Sequence, residues 1–333
     1  MDCILGIDQG SSNTRAAVMD LKGNILSYHR TGGSYFRVSG IDSAMEYISA
    51  AAGGALNDAG ISIEDVDMVV AGVTGIDWIG DDIIVSGALK ERFGDRDIIA
   101  CNDCEIAYYS GSMKPAGAVI CAGTGINAAL FSPDGSKFVM GDYLKCSIQG
   151  GSAIAKSAVE AVIESDLGVL PETRLTKLLL DYFDVDDVYG LLQKYMTADD
   201  LSGKVVSLAP RIIELADDED KVAQDILALF ADNLCACFLG AMKKMDMLQL
   251  QCDIVLAGSI LRGRVNGLTL MITERLLQTA GNANIVNAGF EPVVGACIMG
   301  YLKKSADIGG HIVENVTASA GKLGLLRISP SFI

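Results

Sequence analysis

Two short segments rich in glycine and hydroxyl residues carry groups that could do chemistry in this sequence. Their residues are Asp8, Gly10, Ser11 and Ser12 in the first segment, and Gly123, Thr124 and Gly125 in the second. Glycine lets backbone N–H groups approach a ligand closely, and successive N–H groups in a turn bind anions. An aspartate at the end of a strand can hold Mg²⁺ through water. The two segments therefore predict loops that hold the phosphates of ATP, with Asp8 beside the magnesium ion.

Another acidic residue could supply the base that phosphoryl transfer to a hydroxyl requires. Asp103 follows Asn102 at the point where the predicted strand DIIAC passes into a helix. The carboxyl ends of parallel strands are where open α/β sheets bind their ligands. Aspartate at such a junction is also an ordinary helix N-cap. The sequence leaves both roles of Asp103 open.

Other classes of site lack the residues they need. The sequence has neither the G-x-x-x-x-G-K-[ST] motif of P-loop proteins nor a G-x-G-x-x-G motif that opens a helix. Cys101 and Cys104 have C-x-x-C spacing, but a metal or redox site would need a second such pair or histidines. The chain has only two histidines, His29 and His311. A net charge of −16 argues against a nucleic-acid partner, because phosphate contacts need clustered Lys and Arg.

The alternation of predicted strands and helices indicates an α/β fold with mostly parallel sheets. Strands are predicted at CILGID, TRAAVMD, ILSYHR, DMVVAGV and DIIAC, with helices over 41–60, 82–93 and 103–112. From residue 116 the pattern restarts, because GAVICAGTGINAALFSPDGSK repeats the order of strand, small-residue loop, strand and glycine turn. We therefore predict two duplicated α/β domains, at 1–115 and 116–304, with a cleft between them. The second domain contains a helical insertion, and residues 305–333 form a tail that packs back on the first domain.

Six segments in a fixed order give the chain a resemblance to a known family. They are GIDQGSSNTRAAVMDLKGNIL, GVTGIDW, CNDCEIAYYSG, GAVICAGTGINAALFSPDGSK, DIVLAGSILRG and NAGFEPVVGACIMGYL. The sequence resembles the BadF/BadG/BcrA/BcrD-type ATPase family, and within it the N-acetylglucosamine kinase branch of the actin-like sugar-kinase superfamily. The resemblance implies two actin-like (ribonuclease H-like) domains that bind ATP and Mg²⁺ in the cleft. It also implies adenosine contacts from Gly258 and Ser259, and Asp103 as the general base.

The chain differs from the family's sugar kinases at positions that are expected to bind the acceptor. The resemblance implies four substrate contacts, from Asp77, Asn102, Tyr143 and Gln149. Where kinases of this branch have a sugar-binding asparagine the chain has Tyr35, and where they have an aspartate it has Gln149. Glutamine donates and accepts hydrogen bonds, but it cannot accept from a pair of hydroxyls as a carboxylate does. The rings of Trp78 and Tyr143 are predicted to pack within the protein rather than to stack on a ligand.

These observations predict a cytoplasmic, ATP-dependent kinase for a hydroxyl of an amino sugar or a related small molecule. One alternative is an ATPase that activates a partner enzyme; the resemblance implies an iron–sulfur cluster at a dimer interface for such activators, and Cys146 is the only cysteine in that neighbourhood. The other alternative is a sugar-sensing regulator with little turnover. A homodimer is compatible with the sequence. No membrane partner is expected, because no apolar run reaches the length of a membrane span.

Overall fold

The first half of the chain forms a five-stranded mixed sheet. The computed structural model describes residues 2–144, 148–197, 206–261, 266–305 and 308–327. The strands of this sheet are β1 (Cys3–Gln9), β2 (Asn13–Asp20), β3 (Ile25–Gly32), β4 (Val66–Val73) and β5 (Asp97–Cys101). Their order is β3-β2-β1-β4-β5. β1 pairs antiparallel with β2 and parallel with β4, so the first glycine segment is the hairpin turn beside the central strand.

The second half repeats this sheet strand for strand. Its strands are β6 (Gly117–Ala122), β7 (Ile126–Phe131), β8 (Lys137–Val139), β9 (Asp253–Ala257) and β10 (Asn284–Asn287). Their order, β8-β7-β6-β9-β10, is that of the first sheet, with β6 in the place of β1. β6 pairs antiparallel with β7 and parallel with β9. The duplicated α/β fold predicted from the two glycine segments is therefore confirmed.

Helices cover the faces of both sheets. Those of the first half are α1 (Phe36–Ser39), α2 (Ile41–Ala59), α3 (Asp81–Phe93) and α4 (Asp103–Tyr109). Between β8 and β9 lie α5 (Gly150–Asp166), α6 (Arg174–Phe183), α7 (Val188–Thr197), α8 (Ala209–Asp217) and α9 (Lys221–Lys244). The last three are α10 (Gly267–Thr279), α11 (Pro292–Lys304) and α12 (Gly310–Lys322). A short 3₁₀ turn, Gly141–Tyr143, follows β8.

Two helices pack between the sheets and join the halves. α4 follows the last strand of the first sheet, and α11 follows the last strand of the second. They meet at Gly295, where a Cβ would lie 2.1 Å from the Ile106 carbonyl oxygen. Apolar residues of both sheets and both helices share one buried core, which includes Ile4 and Val119. Because this core fixes the sheets relative to each other, the loops at the ends of β1 and β6 face one cleft.

The C-terminal helix α12 packs on the turn between β2 and β3. The Ser319 hydroxyl accepts a hydrogen bond from the Ile25 N–H at 2.8 Å, and the Asn315 amide donates to the Lys22 carbonyl at 2.8 Å. Ile312 of this helix is buried in the core between the sheets. These contacts attach residues after α11 to the first sheet.

Within the described part of the chain, α9 is the helix that is long and apolar enough to cross a membrane, by length and composition alone. It packs on α5 and α10 and buries Leu227, Phe230 and Phe238 against them. Core helices of soluble proteins can be as long and as apolar as α9, so these two properties do not identify a membrane span.

Candidate active site

The two glycine loops face each other across a cleft of about 540 Å³. The predicted site residues that line it are Gly10, Ser11, Ser12, Asp77, Asn102, Asp103, Gly123, Thr124, Gly125, Gln149 and Gly258. Asp8 is buried near the end of β1, beneath the first loop. Ser259 lies next to Gly123, and Tyr143 lines a neighbouring cavity. The predicted residues thus lie in or next to one cleft, except that Tyr143 lines the neighbouring cavity.

The first loop is held against the segment that follows β3. The Gly10 carbonyl accepts a hydrogen bond from the Ser34 N–H at 3.2 Å. A Cβ at Gly33 would lie 2.3 Å from the Gly10 carbonyl oxygen, so only glycine fits there. The buried Gln9 amide donates to the carbonyls of both Gly10 and Ser34. The loop and the segment therefore form one unit, from which Tyr35 reaches the cleft.

Asp8 has a basic partner that the sequence did not single out. Its carboxylate accepts a hydrogen bond from Arg15 Nη1 at 2.9 Å, and Arg15 lines the cleft. The two residues are register partners in the β1–β2 hairpin, so their side chains lie on the same face of the sheet. The hairpin pattern was the signal that could have revealed this pair. Arg15 is a further candidate for a charge-assisted contact with phosphate.

The second loop rests on the beginning of α5. The Gly151 N–H donates to the Gly123 carbonyl at 2.8 Å. Gly150 has a φ of +57°, and a Cβ there would lie 2.2 Å from the Gly125 carbonyl oxygen, so a side chain at this position would displace the loop. Because these carbonyls point towards α5, the opposite side of the loop faces the cleft.

Both loops leave room for an anion. A Cβ at Gly125 would approach Gln149 Oε1 at 3.9 Å, and one at Gly10 would approach the Asn13 carbonyl at 3.4 Å, with no closer contact at either position. A side chain at Gly10 or Gly125 would therefore occupy cleft space that glycine keeps open. Such a cradle of glycine backbone fits the phosphates of ATP.

Gly258 connects the end of β9 to the end of β6. Its φ of +88° is left-handed, and a Cβ would lie 2.2 Å from the Ala122 carbonyl oxygen. The Ile260 N–H donates to the same carbonyl at 3.1 Å. Gly258 is therefore required for packing beside the second loop, in addition to lining the cleft, and Ser259 is exposed next to it.

Asp103, the first residue of α4, lines the cleft together with both loops. Burial, reinforced by the negative charges of Asp8 and Asp77, raises the pKa of Asp103 to about 7. Hydrogen bonds from the Cys104 backbone and the Thr74 side chain act in the opposite direction by stabilising the carboxylate. A carboxylate with a pKa near neutrality is suited to accept a proton from a hydroxyl. Thr74, which also lines the cleft, was not predicted from the sequence.

The carboxylates of the cleft fit a magnesium ion that arrives with a nucleotide. The repulsion that raises the Asp103 pKa would be relieved by a divalent cation near Asp8. In sites of this kind Mg²⁺ is bound by one or two carboxylates together with phosphates and water. Among the described residues, no group of three His, Cys, Asp or Glu side chains that could hold a metal ion is found.

The N-cap of α4 is Asn102, so the capping role considered for Asp103 is wrong. Asn102 Oδ1 accepts from the Cys104 N–H at 2.9 Å, and Glu105 completes a capping box. Asn102 Nδ2 donates to the Ile76 carbonyl at 3.1 Å and to Asp77 Oδ1 at 2.9 Å. The asparagine thus ends one strand, begins one helix and fixes the Asp77 carboxylate.

Asn127 on β7 connects this group to the second half of the chain. Its Nδ2 lies 3.3 Å from Asp77 Oδ1 and 3.2 Å from Asn102 Oδ1. Its Oδ1 accepts from the Gly141 N–H at 2.8 Å. With this contact the Asn102 amide has as many partners as an amide can bind, so a substrate contact from its side chain would displace one of them. Asn127 follows directly on the second glycine segment, which was the signal for it.

We expect Asn102→Ala to lower the free energy of unfolding by about 2–4 kcal/mol, because it removes a helix cap and the hydrogen bonds of the buried Asn102 amide to Ile76, Asp77 and Asn127. Urea denaturation measures the change. Ser62→Ala is the matched control, since Ser62 caps an exposed 3₁₀ turn. A loss for Asn102→Ala no larger than that for Ser62→Ala would contradict the role assigned to this amide.

The model of the BadF/BadG/BcrA/BcrD ATPase family matches residues 5–300 of the chain. The chain belongs to this family. The match spans both glycine loops, Asp77, Asp103 and Gly258, so the resemblance drawn from the six segments is confirmed. A nucleotide-binding cleft is the site expected of an ATPase family.

Proteins similar to this chain include named sugar kinases. The chain is 23% identical over 264 residues to the N-acetylmuramic acid/N-acetylglucosamine kinase of Clostridium acetobutylicum, which covers 78% of this chain and 86% of that protein. It is similar to a solved protein of Chromobacterium violaceum proposed to be an N-acetylglucosamine kinase, with a TM-score of 0.67, 18% identity and coverage of 89% of this chain and 98% of that one. It is also similar to a ROK family glucokinase of Streptomyces griseus solved with glucose and AMPPNP, with a TM-score of 0.56, 18% identity and coverage of 89% and 98%. These structures confirm the actin-like α/β fold with its two five-stranded sheets.

Two aromatic side chains near the cleft differ from the expectation. Trp78 and Tyr143 do not pack within the protein, because they are 60% and 69% exposed, and both line a second cavity beside the cleft. Tyr35 and Gln149 line the cleft itself. The Gln149 amide donates to the Leu144 carbonyl at 3.0 Å, which turns its oxygen towards Gly125.

The cysteines of the C-x-x-C pair lie in the core between the sheets. Cys101 and Cys104 are buried, and burial raises the pKa of both thiols well above the ordinary value. The Cys101 thiol lies 3.7 Å from the Ala71 carbonyl. Thiols in such surroundings stay protonated and act as small apolar side chains. Cys146, the candidate cluster ligand, lies outside the described residues.

Proposed function

We propose that this protein is an ATP-dependent kinase that phosphorylates a hydroxyl of an amino sugar or a related small molecule. The observation that carries the proposal is the position of Asp103, a carboxylate with a pKa of about 7 in a cleft lined by two glycine loops. Phosphoryl transfer needs a cradle for the phosphates and a positioned base, and the residues proposed for both tasks line one cavity. Membership of an ATPase family supports the use of ATP. The proposed kinase acts in the cytoplasm, where ATP is available.

Each group has one task in the proposed reaction. The backbone N–H groups of loops 10–12 and 123–125 hold the phosphates from two sides, and Arg15 adds a positive charge. When bound, Mg²⁺ neutralises charge on the phosphate oxygens, with Asp8 holding it through water. Asp103 accepts the proton of the acceptor hydroxyl.

The acceptor is proposed to lie on the Asp77 side of the cleft, against Tyr35 and Gln149, with adenosine against Gly258 and Ser259. An amino sugar is the favoured class because the curated relative is named as a kinase for N-acetylmuramic acid and N-acetylglucosamine. Tyr35 offers one hydroxyl in place of an amide, and Gln149 offers one carbonyl oxygen in place of a carboxylate. The contacts to the acceptor hydroxyls are therefore expected to differ from those of the family's sugar kinases.

A screen for ADP release tests this proposal. Amino sugars and hexoses, including N-acetylglucosamine and N-acetylmuramic acid, are supplied with Mg-ATP. At least one amino sugar is expected to raise ADP release about tenfold or more over the acceptor-free rate, with an equimolar yield of phosphorylated sugar. Asp103→Asn serves as the control that abolishes the increase. ADP release that is independent of every sugar would contradict the kinase and favour an ATPase that drives a partner enzyme.

A further inference from the structure

A second cavity of about 670 Å³ adjoins the cleft. One wall is formed by residues 76–82, which follow β4, and the other by residues 137–143, which contain β8 and the 3₁₀ turn. Asp77 lines both cavities, and a Cβ at Gly141 would lie 3.4 Å from the Asp77 side chain. The two cavities therefore meet at Asp77, and each is bounded by both halves of the chain. We name the second one the aromatic cavity, after Trp78, Phe138 and Tyr143 in its walls.

The aromatic ring of the first wall is exposed but held in place. Trp78 has the Arg37 guanidinium 5.9 Å from its ring centroid. Arg37 is itself fixed, because it donates to the Gly75 carbonyl at 2.8 Å and pairs with the Asp81 carboxylate. The backbone N–H of Trp78 also donates to the Asp81 carboxylate at 2.8 Å. Backbone and ring are thus both anchored, although most of the side chain faces solvent.

The second wall has the same arrangement. The rings of Phe138 and Tyr143 lie edge to face with centroids 5.2 Å apart. The Lys244 ammonium lies 4.6 Å from the Phe138 centroid and 5.6 Å from the Tyr143 centroid. Cation–π contacts of this kind orient exposed rings. Facing aromatic walls that are already ordered are typical of ligand cavities.

Two of the charged side chains that line the cavity, Glu105 and Lys137, neutralise each other, and Asp77 and Asp82 add negative charge to the lining. Glu105 is 2% exposed, and the Lys137 ammonium lies 2.9 Å and 3.1 Å from its two oxygens. Burial lowers the pKa of Lys137, but the Glu105 charge outweighs it, so the pKa is raised and the ion pair persists. The carboxylates of Asp77 and Asp82 disfavour an anionic group in this cavity, and the aromatic walls favour an apolar one.

We propose that the aromatic cavity binds an aryl substituent of the acceptor, attached to the sugar whose hydroxyl lies at Asp103. This inference rests on the proposed kinase function. A substituent that passes Asp77 would lie between the Trp78 and Tyr143 rings and remove both from water. The same substituent would add apolar contacts to an acceptor whose hydroxyl contacts in the cleft are altered by Tyr35 and Gln149.

The experiment compares glucosamine derivatives that carry a benzyl or a methyl group on the anomeric oxygen, the amino nitrogen or the 3-oxygen. At one of these positions the benzyl derivative is expected to bind about tenfold tighter or more, by calorimetry. Trp78, the only tryptophan of the chain, should report that binding by a change in emission. Tyr143→Ala is expected to remove most of the preference. Tyr189→Ala, on α7 and 68% exposed, is the matched control that keeps it.

The proposal for the aromatic cavity would be wrong if benzyl and methyl derivatives bound with equal affinity at all three positions. If a sugar were still phosphorylated, the kinase proposal would stand. A preference that survives Tyr143→Ala would also overturn the proposal for the aromatic cavity. If no sugar binds or is phosphorylated, both proposals fail together. Trp78 emission that changes with protein concentration alone would show that a second copy of the chain covers the cavity, and this too would overturn the inference.

Discussion

Replacement of Asp103 by asparagine is expected to lower kcat by about 10²- to 10⁴-fold, with little change in the KM for Mg-ATP. Asparagine keeps the size of the side chain and can still accept a hydrogen bond from Thr74, but it does not take up a proton. Because Asn102 caps α4, the substitution leaves the helix intact. Steady-state kinetics with the best acceptor measures the effect. Turnover within a few-fold of the parent would show that the base lies elsewhere, and Asp77 would be the next candidate.

The same carboxylate predicts how activity depends on pH. With a pKa of about 7 for Asp103, the parent kcat/KM should fall about tenfold for each pH unit below 7 and level off above it, because only the ionised carboxylate accepts a proton. The Asp103→Asn variant should lack this acid limb. A parent profile that stays flat down to pH 5 would contradict either the pKa or the role of the group.

Stability should change in the opposite direction to activity. The pKa of Asp103 in the folded protein is about 7, above its ordinary value of 3.8, so the folded state binds a proton more tightly than the unfolded state. Ionisation of Asp103 therefore destabilises the fold increasingly as the pH rises from 4 to 7. Asp103→Asn removes that cost and should stabilise the protein at pH 8 by about 1–3 kcal/mol, with a smaller gain at pH 5. Denaturation at the two pH values measures the difference.

The fold was largely predictable because the duplicated segments carry local signals. Each glycine segment lies between two apolar runs that can only be strands, and the alternation of strands and helices leaves few topologies. The sequence could not show that α11, which follows the second sheet, packs on the first at β1. That contact depends on Gly6, where a Cβ would lie 2.8 Å from the Val293 carbonyl oxygen, a meeting of residues almost three hundred positions apart. Long-range packing of this kind leaves no periodic pattern in the chain.

The site was predicted best where its chemistry is local. The glycines at 10, 123 and 125 predict turns directly from the sequence, and Asp103 follows a strand that the sequence also predicts. Arg15 and Asn127 were missed because their partners, Asp8 and Asp77, are assigned only by strand register and by the approach of the two halves. The exposure of Trp78 and Tyr143 was missed for a related reason, since an isolated aromatic residue gives no sign of which side of a loop it faces.

Gly125→Val is expected to weaken the binding of Mg-ATP by about 100-fold or more while the protein stays folded. The valine side chain would fill the cleft space in which phosphate meets the loop, and the loss of two hydrogen bonds to a charged group accounts for a change of that size. The fold should tolerate the substitution, because a Cβ at Gly125 approaches no atom more closely than 3.9 Å. Calorimetric titration with Mg-ATP gives the affinity, and thermal denaturation gives the stability.

Variants at two other glycines serve as controls that distinguish a loss of phosphate binding from a loss of folded structure. Gly53→Val, on the open side of α2 where a Cβ meets nothing within 4 Å, should leave both ATP affinity and stability near those of the parent. Gly150→Ala should lower both, because its φ of +57° strains an alanine and its Cβ would lie 2.2 Å from the Gly125 carbonyl oxygen. Gly125→Val alone should lose ATP affinity and keep its melting temperature. If Gly125→Val binds Mg-ATP as tightly as Gly53→Val does, the second loop does not contact the phosphates. The proposal that both loops bind the phosphates would then be wrong.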